Sequence, residues 1–164
     1  MIRILGLDPS LSSTGWGVID IEGSRLKYVA DGFIKTNPKQ PLEERLAVLY
    51  QTLCEVIETY QPNEASIEVI FLNENPMSTI KLAMARGVVV LAPGAYHIPL
   101  NEYEPSKVKK ALVGTGAALK SQVETMVKVL LSGAKPKNND SSDALAIAIT
   151  HAHYRESKTH ITGN

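Results

Sequence analysis

The sequence predicts an α/β fold, a sheet flanked by helices, on three observations. Three strand-like runs separated only by short turns open the chain. Helix-like and strand-like segments then alternate. The first run is almost wholly apolar, as a strand covered on both faces must be. With 164 residues, 44% hydrophobic and 21% charged, the chain is long enough to bury one core and has an ordinary globular composition. A single domain over residues 1–156 is expected, with 157–164 a frayed polar tail.

Residues 2–7 give the first strand, ending at Asp8-Pro9. Residues 15–21 and 25–36 give the next two, joined by Glu22-Gly23-Ser24, a hairpin-type turn, so an antiparallel meander is expected. Pro41 suits a first helical turn, where its missing N–H costs nothing. Leu42, Leu46, Leu49, Leu53, Val56, Ile57 and Tyr60 then recur three or four apart and form one apolar face. Gln61-Pro62-Asn63 ends that helix. Residues 64–71 read as a strand and residues 77–91 as a helix whose apolar residues spread around its circumference. Such a helix is either deeply buried or shared between the core and a second subunit. Residues 96–100 read as the last strand, 105–112 as a short helix, 118–131 as another, and a final alanine-rich helix starts at Asp140. The Gly114-x-Gly116 break lacks the preceding strand and third glycine of a dinucleotide loop.

Cys54 is the single cysteine, which excludes a disulfide framework or thiolate cluster. No run approaches 18 consecutive apolar residues, and the N-terminus has no leader pattern, so a cytoplasmic protein without membrane contact is expected. Net charge is zero, but between residues 104 and 137 seven lysines (Lys107, Lys109, Lys110, Lys120, Lys128, Lys135, Lys137) face only Glu104 and Glu124. That segment is either an ordinary solvated face or a surface for a polyanion.

Four carboxylates carry the chemistry. Asp8 ends a buried strand. Glu68 lies in an apolar run, where a carboxylate costs free energy without a partner or metal; an edge position facing water is the alternative. Asp140 and Asp143, three apart, project from one face of a helix start, a pattern that capping and the helix dipole also explain. Taken together, four carboxylates can hold two hard divalent cations. Two such ions about 3.5–4 Å apart stabilise the attacking and leaving oxygens of a phosphoryl displacement, which suits phosphodiester hydrolysis. His151 and His153 lie at least about 12 Å further along that helix and read as structural or surface groups. His97 likewise reads as structural.

These segments resemble the bacterial RuvC family of Holliday-junction resolvases. Leu5-Gly6-Leu7-Asp8-Pro9 and Thr14-Gly15-Trp16-Gly17-Val18-Ile19 match its N-terminus. Ile67-Glu68 with Phe71, the run 81–87, Val108-Lys109, Lys120-Ser121-Gln122-Val123 and the run 143–148 match later blocks in order, covering residues 2–154. The resemblance implies an RNase H-like fold with a five-stranded mixed sheet, the first three strands antiparallel. It implies a homodimer that cuts four-way DNA junctions symmetrically with magnesium or manganese, two ions per site, alongside the branch-migration proteins RuvA and RuvB. By motif position Asp8, Glu68, Asp140 and Asp143 are the catalytic, metal-binding acids; from its place on a central strand, Asp8 is expected to bridge or share the ions. Lys109 and Lys120 align with lysines that contact DNA and support cleavage, with Lys120 counted among the catalytic residues, while Phe71 takes the place of an aromatic that contacts junction bases. Lys107 and Lys110 are added as DNA contacts from their place in the basic segment. The chain departs from the pattern at Ser10, where glycine is usual, at Val69, where glutamine is frequent, and at Ser12 and Ser13, which replace a more basic loop. Rival readings are an RNase H-fold nuclease acting on RNA or RNA–DNA hybrid, a junction-binding module without catalysis, and an actin-type ATPase lobe.

Overall fold

The apolar first strand sits at the centre of the sheet, which is why both its faces are covered. The computed structural model describes residues 1–70 and 74–159, with side chains as far as Arg155 in the last helix. β1 (Ile2–Asp8), β2 (Ser13–Glu22), β3 (Arg25–Lys35), β4 (Glu64–Glu68) and β5 (Leu100–Tyr103) form a five-stranded sheet in the order β3-β2-β1-β4-β5. The first three pair antiparallel, and β1, β4 and β5 run parallel, so the sheet is mixed as expected.

Two apolar cores flank it. Leu5, Leu7, Val18, Ala65 and Ile67 pack against α1 (Leu42–Tyr60) and α2 (Pro76–Ala95) on one face. Ile4, Ile19, Ile21 and Tyr103 pack on the other against α3 (Pro105–Val113), α4 (Lys120–Leu130) and α5 (Asn139–Thr159). The predicted stripe of α1 is buried at Leu49, Leu53, Val56 and Ile57, whereas Leu42, in the first turn, remains exposed. Cys54, half-buried, packs beside this core rather than at the site below.

α5 lies unusually close to β1 and β2. A Cβ on Gly6 would stand 2.0 Å from the carbonyl oxygen of Ala144, and one on Gly15 would stand 2.0 Å from that of Asp140. Only glycine permits that approach.

Four expectations about the elements change. β4 stops at Glu68 instead of continuing to 71. It is an interior strand between β1 and β5, so Glu68 is not an edge residue facing water. The last strand is Leu100–Tyr103, not 96–100: His97 takes a left-handed φ of 56° in a turn closed by its N–H on Gly94, and Pro99 has no N–H to pair. α2 runs on to Ala95, its last turn held by the burial of Ala92 and Pro93. α5 continues to Thr159, into the span expected to fray.

α2 also revises the reading of hydropathy. It is long and apolar enough to cross a membrane, although Lys81 and Arg86 interrupt its apolar run. Arg86 is paired with Glu102 at 2.7 Å and Ala85, Val89 and Ala92 are buried in the core. Met77, Ile80, Met84 and Leu91 are left exposed at helical spacing. The single chain thus covers one side of α2 and leaves the other apolar side open.

Candidate active site

Strand parity brings the first two acids together. Leu7 pairs with Ile67 across the parallel β1–β4 ladder, so Asp8 and Glu68 are the next residues on adjacent strand ends. Side chains alternate between faces, which places both acids on the face that carries α5. The first turn of α5 supplies the other two.

That turn is capped by Asn138, not by Asp140. The Asn138 carboxamide oxygen accepts from the Ser141 N–H at 2.9 Å, and the Ser141 hydroxyl bonds back to Asn138. Asp140 and Asp143 are therefore released from capping duty and face the strand ends. Ser13 donates to Asp140 Oδ2 at 2.7 Å. Lys120, the first residue of α4, donates to Asp143 Oδ2 at 3.3 Å.

The electrostatics record the crowding. Asp8 is pushed up from its ordinary 3.8 to about 7, first by burial, then by Asp143, Glu68 and Asp140. Glu68 is raised by burial and by Asp143, with Lys109 and Lys120 opposing. Asp143 is raised by burial, opposed by Lys120, and Lys120 is raised in turn by Asp143. Like charges held together out of water call for a cation. All-oxygen donors at such a site suit a hard divalent ion. Among the described residues, no three or more His, Cys, Asp or Glu side chains are gathered closely enough to hold a metal ion by themselves. The donor set fits a divalent ion that shares its coordination with a substrate phosphate or water, rather than one fully wrapped by protein.

Beside the acids is a cavity of about 270 Å³, lined by Glu68, Asp143, Lys109 and Lys120 together with Pro105, Val108, Val123 and Ala146. Lys109 and Lys120 are thus placed at the acids. Lys107 and Lys110 are not. Lys107 lies over the Tyr154 ring, 5.6 Å from its centroid, and Lys110 is exposed near the end of α3. Phe71 lies outside the described residues. His151 is buried and bonded, as its structural reading requires, while His153 is exposed.

Ser13 escaped the sequence reading, in which it counted only as a lost basic residue; nothing in its neighbours signals a bond to a group 127 positions away. A second groove, lined by Ser10, Ser12, Ser78, Arg45 and Lys81, adds two cations to the loop that follows Asp8.

A mixed five-stranded sheet in this order, flanked by helices on both faces, is an RNase H-like fold. The sequence profile of the crossover junction endodeoxyribonuclease RuvC family matches residues 4–151. The RuvC protein of Xanthobacter autotrophicus is 54% identical over 154 residues, covering 94% of this chain and 91% of the relative. That of Gluconacetobacter diazotrophicus is 49% identical over 162 residues, covering 99% and 96%. The structure of T. thermophilus RuvC in complex with a Holliday junction substrate superimposes with a TM-score of 0.91 at 31% identity, covering 97% of this chain and 98% of that one. The yeast mitochondrial Holliday junction resolvase shares the fold, with a TM-score of 0.65 at 15% identity. The chain belongs to the RuvC family of crossover junction endodeoxyribonucleases, and its activity is that of a Holliday-junction resolvase.

Proposed function

We propose that Asp8, Glu68, Asp140 and Asp143 are the catalytic acids, that they hold magnesium, replaceable by manganese, at two ions per site, and that a homodimer of this chain cuts the two opposed strands of a junction. The observation that carries the assignment is the gathering of three acids around Asp8, which is held up at about 7 by burial and then by Asp143, Glu68 and Asp140. Bound divalent ions would supply Lewis-acid stabilisation of the phosphate and a water of lowered pKa. The chain's own residues do the rest. Asp8 and Glu68 are fixed by the ends of paired strands, so the spacing of their carboxylates changes little as substrate binds. Ser13 holds Asp140 in one orientation. Lys120, on Asp143, stands where it can meet charge developing on the phosphorus. Lys109 gives a second cation in the cavity lining for the flanking backbone phosphate. The apolar part of the cavity lining, Val108, Val123 and Ala146, offers a surface for a sugar edge.

The open face of α2 supports the dimer. Met77, Ile80, Met84 and Leu91 fall on one side of the helix, and a twofold pairing of that side would point two sites at a substrate with twofold symmetry. Phe71 stacking on an unpaired base, DNA contacts from Lys107 and Lys110, and association with RuvA and RuvB complete the proposal. It places the protein with the bacterial chromosome in the cytoplasm.

The test is cleavage of a synthetic four-way junction beside linear duplex, with and without Mg²⁺. Glu68→Gln and Asp143→Asn are expected to lose at least about 10³-fold in cleavage rate while still retarding the junction in a gel. Wild-type cleavage in either variant would refute the acid assignment.

A further inference from the structure

At the end of the sheet away from the active site, the same two elements that carry Glu68 and Asp143 are bolted together by a half-buried polar network. Arg155 donates Nε to both oxygens of Glu64, at 3.1 and 2.9 Å, and Nη2 to Oε1 at 2.9 Å. His151 Nε2 lies 2.6 Å from Glu64 Oε2, and His151 Nδ1 lies 2.7 Å from the Tyr103 hydroxyl. Arg155 and His151 hold Glu64 below the usual carboxylate range, so it is ionised and can only accept. His151 Nε2 is then the donor to Glu64, and Nδ1 shares a hydrogen bond with the Tyr103 hydroxyl.

We infer that Glu64, His151, Arg155 and Tyr103 are positioning residues that set the distance between the Glu68 and Asp143 carboxylates, and so the affinity of the site for divalent ions. The inference rests on the assignment of those acids above. β4 and α5 run in opposite directions across one another. Glu64 meets His151 at one end, the Ser66 hydroxyl reaches the Ile147 carbonyl at 3.2 Å in the middle, and Glu68 and Asp143 share a cavity at the other end. The lengths match. Four residues of strand from Glu64 to Glu68 span about 13 Å. Eight residues of helix from Asp143 to His151 span about 12 Å. A strand and a helix of equal span, fixed at one end and in the middle, leave the other end one spacing. The network also reaches Glu68 from its second side. Tyr103 is the ladder partner of Glu68 on β5, and its carbonyl accepts the N–H of Val69 at 2.9 Å.

Two variants test this in the full-length protein. Tyr103→Phe deletes one hydroxyl and keeps the ring that stacks on Tyr154 at 5.6 Å. Glu64→Gln keeps the shape and removes the charge that orients His151 and Arg155. The readouts are Mn²⁺ binding to the DNA-free protein by calorimetry, metal-free junction binding, thermal stability, and cleavage rate against metal concentration. Expected is a rise in Mn²⁺ Kd of roughly tenfold, at the low end for groups that orient metal ligands. Junction binding should stay within about twofold, and cleavage should recover toward wild type at saturating metal. If Glu64→Gln fails to fold, Tyr103→Phe decides. Unchanged Mn²⁺ affinity in Tyr103→Phe, with or without a loss of stability, overturns the inference. Asp143→Asn separates it from the underlying assignment. If that variant loses Mn²⁺ binding while Tyr103→Phe keeps it, the brace alone is wrong. If Asp143→Asn binds Mn²⁺ like wild type, the acid assignment itself falls.

Discussion

Asp8→Asn should make the metal-free protein more stable while abolishing its activity. The folded protein holds the Asp8 carboxyl at about 7 against an ordinary 3.8, a shift of about three pH units caused mainly by burial and then by three neighbouring acids. At 1.36 kcal/mol per unit, holding the charged form costs up to about 4 kcal/mol above neutral pH. The sign follows from proton counting. Between 3.8 and about 7 the folded chain keeps a proton that the unfolded chain has released, so stability falls as pH rises through that window and the full cost stands above it. Asparagine has the same shape and no charge. At about 2–4 °C per kcal/mol for a chain of this size, Asp8→Asn should raise the unfolding temperature by roughly 5–15 °C at pH 8 in EDTA, and the gap should close as pH falls toward 5. Excess Mg²⁺ should narrow the gap, because wild type gains about 2.7 kcal/mol at a hundredfold excess over Kd and the variant gains less. Scanning fluorimetry from pH 5 to 8, with EDTA or Mg²⁺, measures all of this. A variant less stable than wild type at pH 8 in EDTA, or a difference independent of pH, would refute the account of Asp8 as a strained acid.

Lys120→Ala removes the cation that holds Asp143 down, so the acid limb of the pH–rate profile should move to higher pH. The single-turnover rate at pH 7 should drop roughly a hundredfold, and an unshifted limb would remove Lys120 from the site. Gly15→Ala drives a Cβ into the Asp140 carbonyl, and denaturant unfolding should show a loss of about 3–5 kcal/mol or no folded protein. Met84→Glu with Leu91→Glu should leave the fold intact and convert a dimer to monomer in sedimentation equilibrium. Junctions should then be nicked on one strand rather than resolved; a variant that remains dimeric moves the interface elsewhere.

Much of this was legible in the chain. The first three strands, the α1 stripe and the helix start near Asp140 follow from periodicity and turn chemistry, which are local. Asp8 stood out because Pro9 stops the strand just past it. The end of β4 was not legible, since Val69-Ile70 continue a β-favouring run. β5, itself only four residues long, ends its ladder with β4 at the Glu68–Tyr103 pair. The cap of α5 was not legible because Asn138, Asn139, Asp140 and Ser141 all have capping side chains, and only the geometry picks Asn138. The bonds from Ser13 to Asp140 and from Glu64 to His151 join residues 127 and 87 positions apart. No periodicity encodes such pairs.

The seat of α5 on Gly6 and Gly15 has a further consequence. There the helix meets the sheet main chain against main chain, so the gauge between Asp8 and the Asp140–Asp143 turn is a dimension of the polymer itself rather than of its side chains. Leucines and valines elsewhere in the two cores can drift through many combinations without moving it. A catalytic spacing built this way is inherited with two glycines, and it should survive in descendants whose interiors have otherwise been rewritten.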